Sequence, residues 1–343
     1  MKLIKTVDAV GQVLCHDITQ IIKGVTKDAV FRKGHIIREE DIPVLLSVGK
    51  DHIYVWENDE SMMHENDAAE VLCRMCKGEN MSRGGVKEGK IELSAECDGV
   101  LKINRDKLKA VNSFGQMMIA SRHGDFPVKA GDKLAGTRII PLVIEKEKMD
   151  QVEALCEGEP IMKVVPYKSH KAGIVTTGNE VFFGRIKDTF TPVVQAKIEE
   201  FGAEVIAHKY SDDQNENIEA VIREMLDAGC DMIVCTGGMS VDPDDKTPLA
   251  IRNVCGSVVT YGAPVLPGAM FLLAYYGDSK IPVMGLPGCV MYAKRTIFDL
   301  VLPRVMTDEI LGKDDFDKLG EGGLCLNCEI CTFPNCGFGK GGN

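Results

Sequence analysis

The feature that most constrains this chain is the alternation of short apolar strands with amphipathic helices from Ala172 onward. Ala172 to Thr176 reads as a buried strand. Thr191-Pro192 then opens a helix whose apolar positions Val194, Ile198 and Phe201 follow the 3.6-residue period up to Gly202. Glu204 to His208 is a further strand, and Ile218, Val221, Ile222, Met225 and Leu226 mark an amphipathic helix stopped by Gly229. Asp231 to Cys235, Phe271 to Tyr276 and Ile281 to Gly285 read as strands, Thr247-Pro248 opens another helix, and Cys289 to Leu302 is expected to close the series as a single helix. Strands this apolar, linked by helices, bury both faces in a mostly parallel sheet covered on each side, which is a three-layer α/β arrangement.

That topology makes a site prediction. In a parallel sheet the turns that follow the strands emerge together at the carboxyl edge, where open α/β sheets bind ligands. Three of these turns are Thr176-Thr177-Gly178-Asn179-Glu180, Thr236-Gly237-Gly238-Met239-Ser240 and Leu286-Pro287-Gly288-Cys289. Their glycines let backbone N–H groups approach an anion, and the helix starts behind them add partial positive charge. Thr177, Gly178, Asn179, Thr236, Gly237, Gly238, Met239, Ser240, Lys246, Pro287 and Gly288 are therefore the candidate binding residues. Glu180, Asp188, Asp242, Asp244 and Asp245 lie close by in sequence. Carboxylates facing a phosphate-binding crevice call for a cation such as Mg²⁺ between them and the ligand. Thr247 and Pro248 are accounted for as N-cap and first helical residue.

The net charge of −11 argues against a nucleic-acid surface, so an anionic ligand must be met locally. The N-terminal residues show no apolar signal core, and the longest apolar stretch, Val265 to Tyr276, is too short to span a bilayer; a cytoplasmic protein without membrane contact is expected, and a homo-oligomer. Upstream, residues 1–62 form a mixed region, with short apolar runs such as Val10 to Leu14 and Ile53 to Trp56 and a short helix placed after Asp41 and ended by Gly49. Residues 63–164 are expected as a helix over 65–77 followed by a β-rich domain, with strands near Gly89 to Ala95, Val100 to Ile103, Gln116 to Ala120 and Lys133 to Ile144. Gly84-x4-Gly89-Lys90 superficially resembles a phosphate loop, but Ile91 stands where a Ser or Thr would hold magnesium, and no strand precedes the glycines. The α/β domain is placed at 165–310 and a separate tail at 320–343.

Thirteen cysteines, an odd number without a secretory signal, favour thiol or metal chemistry over a disulfide scaffold. Four of them form Cys325-x2-Cys328-x2-Cys331-x4-Cys336, flanked by glycines. This spacing suits a tetrahedral zinc site or an iron–sulfur cluster in a small metal-nucleated module lying outside any hydrophobic core. Cys73-x2-Cys76 falls on the expected helix and reads as two ordinary thiols.

Thr177-Gly178-Asn179-Glu180-Val181, Ile186-Lys187-Asp188-Thr189, Asp212-Asp213, Thr236-Gly237-Gly238-Met239-Ser240-Val241, Asp245-Lys246-Thr247-Pro248 and Leu286-Pro287-Gly288 occur in this order. The series resembles the molybdopterin-binding domain of molybdenum cofactor biosynthesis proteins, over roughly residues 165–306. Arg32-Lys33-Gly34-His35 to Val55 is more weakly similar to a stretch of the molybdopterin molybdenumtransferases. The resemblance implies a three-layer domain that binds molybdopterin or its adenylated form. It further implies that Glu180 and Asp245, supported by Asp188, handle the ligand with Mg²⁺ and molybdate, in metal-assisted phosphoryl chemistry. Where the transferases have two lysines around a Pro-Gly, this chain has Leu266-Pro267-Gly268-Ala269, with Lys246, Lys294 and Arg295 as substitute cations; Cys289 replaces an Asn. The transferases also lack the cysteine tail. Three functions are thus in view: cofactor maturation or insertion, a non-catalytic carrier or sensor that docks a molybdoenzyme or another biosynthesis protein through the tail, and hydrolysis of another pyrophosphate-linked nucleotide on the same scaffold.

Overall fold

The computed structural model describes residues 1–22, 26–55, 59–240, 242–243 and 245–341. Trp56, Val241 and Asp244, named above, lie outside the described residues. The chain divides into two compact units. One comprises Met1–Glu96, Ile103–Arg122 and Gly131–Lys163; the other comprises Cys97–Lys102, His123–Ala130 and Val164–Asn343. The expected regions 1–62 and 63–164 thus fall mostly in the first unit, and 165–310 and 320–343 in the second.

The first unit contains an antiparallel sheet in the order Met81–Arg83, Lys90–Ala95, Lys133–Ile139, Met117–Ser121. Contrary to expectation a strand, Met81–Arg83, does precede the glycines, and residues 84–89 connect it to Lys90–Ala95; Gly89 sits at a φ of 66° and donates its N–H to Asn66 Oδ1 at 3.0 Å. The helix Glu65–Cys76 buries Cys73 and Cys76, and burial pushes the Cys76 thiol up to about 12, as suits an inert core thiol. Two further helices, Arg105–Ser113 and Lys146–Leu155, interrupt the region read as β-rich. Asn104 starts the first by accepting the Lys107 N–H at 3.0 Å, a capping signal that the strand reading passed over.

The second unit is built on a six-stranded sheet. Its strands are β1 (Lys171–Thr177), β2 (Glu204–Ser211), β3 (Met232–Thr236), β4 (Val258–Tyr261), β5 (Leu272–Tyr276) and β6 (Ile281–Leu286), in the spatial order β2-β1-β3-β6-β5-β4. The first four in that order are parallel, and β5 and β4 add an antiparallel edge. The helices are α1 (Asn179–Phe182), α2 (Thr191–Glu199), α3 (Asn215–Asp227), α4 (Thr247–Cys255), α5 (Ile297–Val305) and α6 (Lys313–Asp317).

Strand alternation assigns each face its core. Ile174, Val234, Met284 and Leu286 point into one cluster with Val194 and Ile198 of α2 and Ile297 and Phe298 of α5. Val175, Ile233, Cys235 and Val283 point into the other, against Ile218 and Ile222 of α3 and Ile251 of α4. Helices therefore cover both faces of a mostly parallel sheet, as expected from apolar strands of period two.

The expected helix from Cys289 to Leu302 is not continuous. A single 3₁₀ turn, Gly288–Met291, is followed by non-helical residues before α5 begins at Ile297. Thr296 and Asp299 form a capping box that sets this start: Asp299 Oδ2 accepts the Thr296 N–H at 2.7 Å, and Thr296 Oγ1 accepts the Phe298 N–H at 3.2 Å.

The tail also departs from expectation. It is packed on the core of its unit, with Phe338 buried in the first cluster and Cys325, Phe333 and Cys336 against it. Leu266 N–H donates to Gly323 O and Cys325 N–H donates to Leu266 O, both at 2.8 Å. The glycines serve this close docking: a Cβ on Gly323 would lie 2.3 Å from Pro264 O, and one on Gly341 would lie 1.8 Å from Glu321 O. Among the described residues, no three His, Cys, Asp or Glu side chains are grouped closely enough to hold a metal ion, so the expected single-ion site is not preformed. No helix among the described residues is long and apolar enough to cross a membrane.

Candidate functional site

The strand register places the three turns side by side. Thr176 pairs with Thr236, and Thr236 pairs with Leu286, so β1, β3 and β6 end level at the carboxyl edge. Each turn then leaves the sheet by a different device. Gly178, at a φ of 132°, begins α1, and its N–H donates to Ser211 O at 3.2 Å. Asn179 N–H donates to Asp213 Oδ2 at 2.9 Å, which draws the end of β2 into the same edge.

Gly237 and Gly238 are required by close approach. A Cβ on Gly237 would stand 2.1 Å from Thr177 O, and one on Gly238 would stand 2.8 Å from Thr247 Oγ1. Both residues have positive φ, 86° and 53°. Pro287 and Gly288 differ: a Cβ on Gly288 would meet open space at an ordinary φ. The third turn is exposed at Gly288, where a ligand can come close to the backbone.

Beneath the turns lies a buried hydroxyl network. Thr177 Oγ1 donates to Thr236 O at 3.2 Å and lies 3.0 Å from Thr247 Oγ1, which locks the first two turns to the start of α4. Thr176 Oγ1 lies 2.9 Å from Thr191 Oγ1, and His208 Nε2 is within 3.0 Å of Thr176 Oγ1 and 3.2 Å of Thr191 Oγ1. Thr247 and Thr191 are thus the first residues of their helices, and their hydroxyls bond across the sheet edge instead of capping. Sequence reasoning missed His208, and only its position near the end of β2 could have suggested it.

Asp188 supplies the cap that Thr191 does not. Its Oδ1 accepts the N–H groups of Phe190 at 2.8 Å and Thr191 at 3.1 Å. Burial opposes its charge, but these bonds, with the Thr191 hydroxyl and the nearby His208, hold the carboxyl below its ordinary value. His208 Nε2 stands 3.8 Å from Asp188 Oδ2. Burial also lowers the imidazole, although the Asp188 charge works the other way.

The remaining predicted residues separate by exposure. Glu180 is exposed, with its carboxylate folded close over Gly178. Asp245 is half-buried and accepts the Asp242 N–H at 3.1 Å, which closes the loop before α4. Lys246 is half-buried immediately before α4. Ser240 is exposed, but the Met239 side chain is buried in the core, filling the space left by Gly285. Met239 can therefore offer a ligand only its backbone, and Tyr261 Oη already donates to its carbonyl at 3.1 Å. Two of the substitute cations are committed elsewhere: Lys294 Nζ donates to Cys328 O at 2.8 Å and Glu329 O at 2.7 Å, and Arg295 pairs with Asp299 at 2.9 Å.

Known proteins resemble the second unit over this edge. Residues 173–307 match the family described as the probable molybdopterin binding domain. This stretch is similar to that domain family. Residues 3–57 match a domain of unknown function. The CinA-like protein of Mycobacterium avium is 36% identical over 97 residues, covering 28% of this chain and 22% of that protein; that of Mycobacterium tuberculosis strain H37Ra is 38% identical over 88 residues, covering 26% and 20%. The chain spans about a fifth of the length of these curated relatives. Among solved structures, the molybdopterin biosynthesis enzyme MoaB from Thermus thermophilus is 24% identical with a TM-score of 0.36, covering 41% of this chain and 98% of that one. CinA from Thermoplasma acidophilum is 20% identical with a TM-score of 0.30, covering 35% and 89%.

The matched molybdopterin-binding domain contains all three glycine turns, together with Glu180, Asp188 and Asp245. The segment at which the resembling transferases carry lysines lies in it too, and here Leu266 is hydrogen-bonded on both sides to the tail that follows the domain.

Proposed function

We propose that the second unit binds molybdopterin, or its adenylated form, in the crevice above β1, β3 and β6, and that the protein acts in molybdenum cofactor biosynthesis or insertion. The observation that supports this reading most directly is the level register of three strand ends whose glycine turns open onto one edge within the matched domain. Backbone N–H groups of the turns and the start of α4 would hold the phosphate, with Lys246 as the flanking cation. Thr177, Thr236 and Thr247 act by positioning, since the Thr177 and Thr247 hydroxyls bond each other, Thr177 also donates to Thr236 O, and the Thr236 hydroxyl donates to Thr176 Oγ1 at 3.3 Å.

Glu180 and Asp245 would hold Mg²⁺. The fit is chemical: Mg²⁺ takes one or two protein carboxylates together with ligand phosphates and water, so carboxylates on separate turns suit it without a preformed cage. Asp245 has one oxygen engaged by Asp242 N–H, and Glu180 is exposed. When bound, the ion would neutralise phosphate charge beside these carboxylates. Asp188, engaged as a helix cap, fits a positioning role. The tail cysteines are the proposed ligands of a separate thiolate metal site, iron–sulfur or zinc.

The test is titration of the full chain with molybdopterin and adenylated molybdopterin, then incubation of the adenylated form with Mg²⁺ and molybdate. Binding with release of AMP supports a transferase-like activity. Binding without release supports the second reading, a non-catalytic carrier or sensor. That reading is favoured by the engagement of Leu266 with the tail and of Lys294 and Arg295 with other partners. Absence of binding to either form would refute both.

A further inference from the structure

The four tail cysteines line one cavity of about 220 Å³, together with Lys294 and Arg295. Among the described residues no three potential ligands are near enough to share a single ion. A tetrahedral zinc site needs its four sulfurs drawn onto one metal about 2.3 Å from each. A cubane cluster sets its own iron and sulfide between the thiolates, so it needs them spread around a cavity. The frame here holds both ends of the cysteine-bearing segment. The chain before Cys325 is pinned to Leu266, and the chain after Cys336 is anchored by buried Phe338 and by the Gly339 N–H bond to Gly322 O at 2.9 Å.

Electrostatics point the same way. Four thiolates around a cluster leave net negative charge, and two cations already face the cavity. Lys294 grips the carbonyls of Cys328 and Glu329. Arg295 lies over the Phe333 ring at 5.0 Å and lines the same cavity as Cys331. Hydrogen bonds to ligand sulfur and nearby positive charge are the protein's means of tuning such a cluster.

We propose that Cys325, Cys328, Cys331 and Cys336 ligate a four-iron, four-sulfur cluster in this cavity, with Lys294 and Arg295 as its charge partners. The proposal rests on the reading of the tail as a thiolate metal site and is independent of the crevice. On binding, each thiol loses its proton to solvent as its sulfur–iron bond forms. Lys294 and Arg295 also belong to the stretch that joins the third glycine turn to α5, so the cluster would sit a few residues along the chain from Gly288.

The test is isolation of the full chain without oxygen, with reconstitution by iron and sulfide if needed, followed by assay of iron, acid-labile sulfide and zinc. About four iron and about four sulfide per chain are expected, with broad visible absorption and a paramagnetic signal on reduction. The Cys328→Ser/Cys331→Ser double variant should lose the iron while keeping the far-ultraviolet dichroism of the parent, since both residues are exposed. Lys294→Gln should retain the iron and show a lower reduction potential, because a positive charge that favours the added electron is gone. One zinc per chain in a colourless protein would overturn the cluster and leave the thiolate site standing. No metal after reconstitution, or iron unchanged in the double variant, would overturn both. Molybdopterin titration of the same samples reports on the crevice separately: failure there with iron bound refutes only the crevice.

Discussion

Gly237 and Gly288 occupy neighbouring turns of one sheet edge for different physical reasons. Gly237 has a φ of 86° and no room for a Cβ, so Gly237→Ala should cost at least about 1–3 kcal/mol and lower the urea midpoint of the second unit. Gly288 has an ordinary φ and open space, so Gly288→Ala should change stability by less than about 0.5 kcal/mol. If Gly288→Ala nevertheless weakens molybdopterin in titration, the ligand approaches that backbone; unchanged affinity would remove the third turn from the site. A second prediction concerns acid. His208, and His16 and His64 in the first unit, all titrate below their ordinary value of 6.5, burial being the largest cause in each case. A depressed folded pKa stabilises fully above the unfolded value and is lost as pH falls toward the folded one. Denaturation midpoints should therefore start to fall as pH drops below about 6.5. His208→Gln should flatten that fall in the second unit; an unchanged slope would assign the loss to other groups. The glycine turns were legible in the sequence because glycine patterns report backbone needs. The burial of Met239 was not, because it depends on the space above Gly285, two strands' worth of chain away.

At the scale of elements, the strands and helices of the second unit were readable wherever an apolar period ran uninterrupted, as in Ile218 to Leu226, observed within α3. Periodicity misled where apolar residues continue through a break. Cys289 to Leu302 is apolar enough for one helix, yet Thr296 and Asp299 restart it at Ile297. The Thr-x-x-Asp spacing is the sequence signal for that restart, and hydropathy obscures it. Because Thr296 is fully buried and caps α5, Thr296→Ala should destabilise the second unit by about 1 kcal/mol, within a range of roughly 0.5–2 kcal/mol. Chemical denaturation of the two proteins measures it, and a difference near zero would mean that Asp299 alone sets the start of α5. The tail shows the converse limit. Its glycines suggested a loose module, whereas Gly323 and Gly341 are there because neighbouring carbonyls leave no room for a side chain. Contacts of that kind join residues far apart in sequence, such as Pro264 with Gly323, and leave no local pattern to read.

For the whole molecule, the net charge of −11 makes a prediction about how an anionic ligand is held. A basic site gathers phosphate by long-range attraction that salt screens over about 8–10 Å. Here the field at long range is unfavourable, and Lys294 and Arg295 are occupied by the tail and Asp299. Of the candidate groups named for the crevice, backbone N–H groups, the start of α4 and Lys246 are left, all of which act within hydrogen-bond range. Affinity for molybdopterin should therefore change little, by less than about threefold, when salt is raised from about 0.05 to about 0.5 M. Lys246→Ala should weaken binding only modestly, by roughly 0.5–1 kcal/mol, because the cation is half-exposed and its charge is screened by solvent. Titrations of both proteins across the salt series decide the matter. A steep loss of affinity with salt in the parent, abolished in Lys246→Ala, would show that one lysine rather than the glycine turns holds the phosphate. Parallel, shallow lines would leave the backbone as the principal anion receptor, which is the arrangement that lets so acidic a chain bind an anionic pterin.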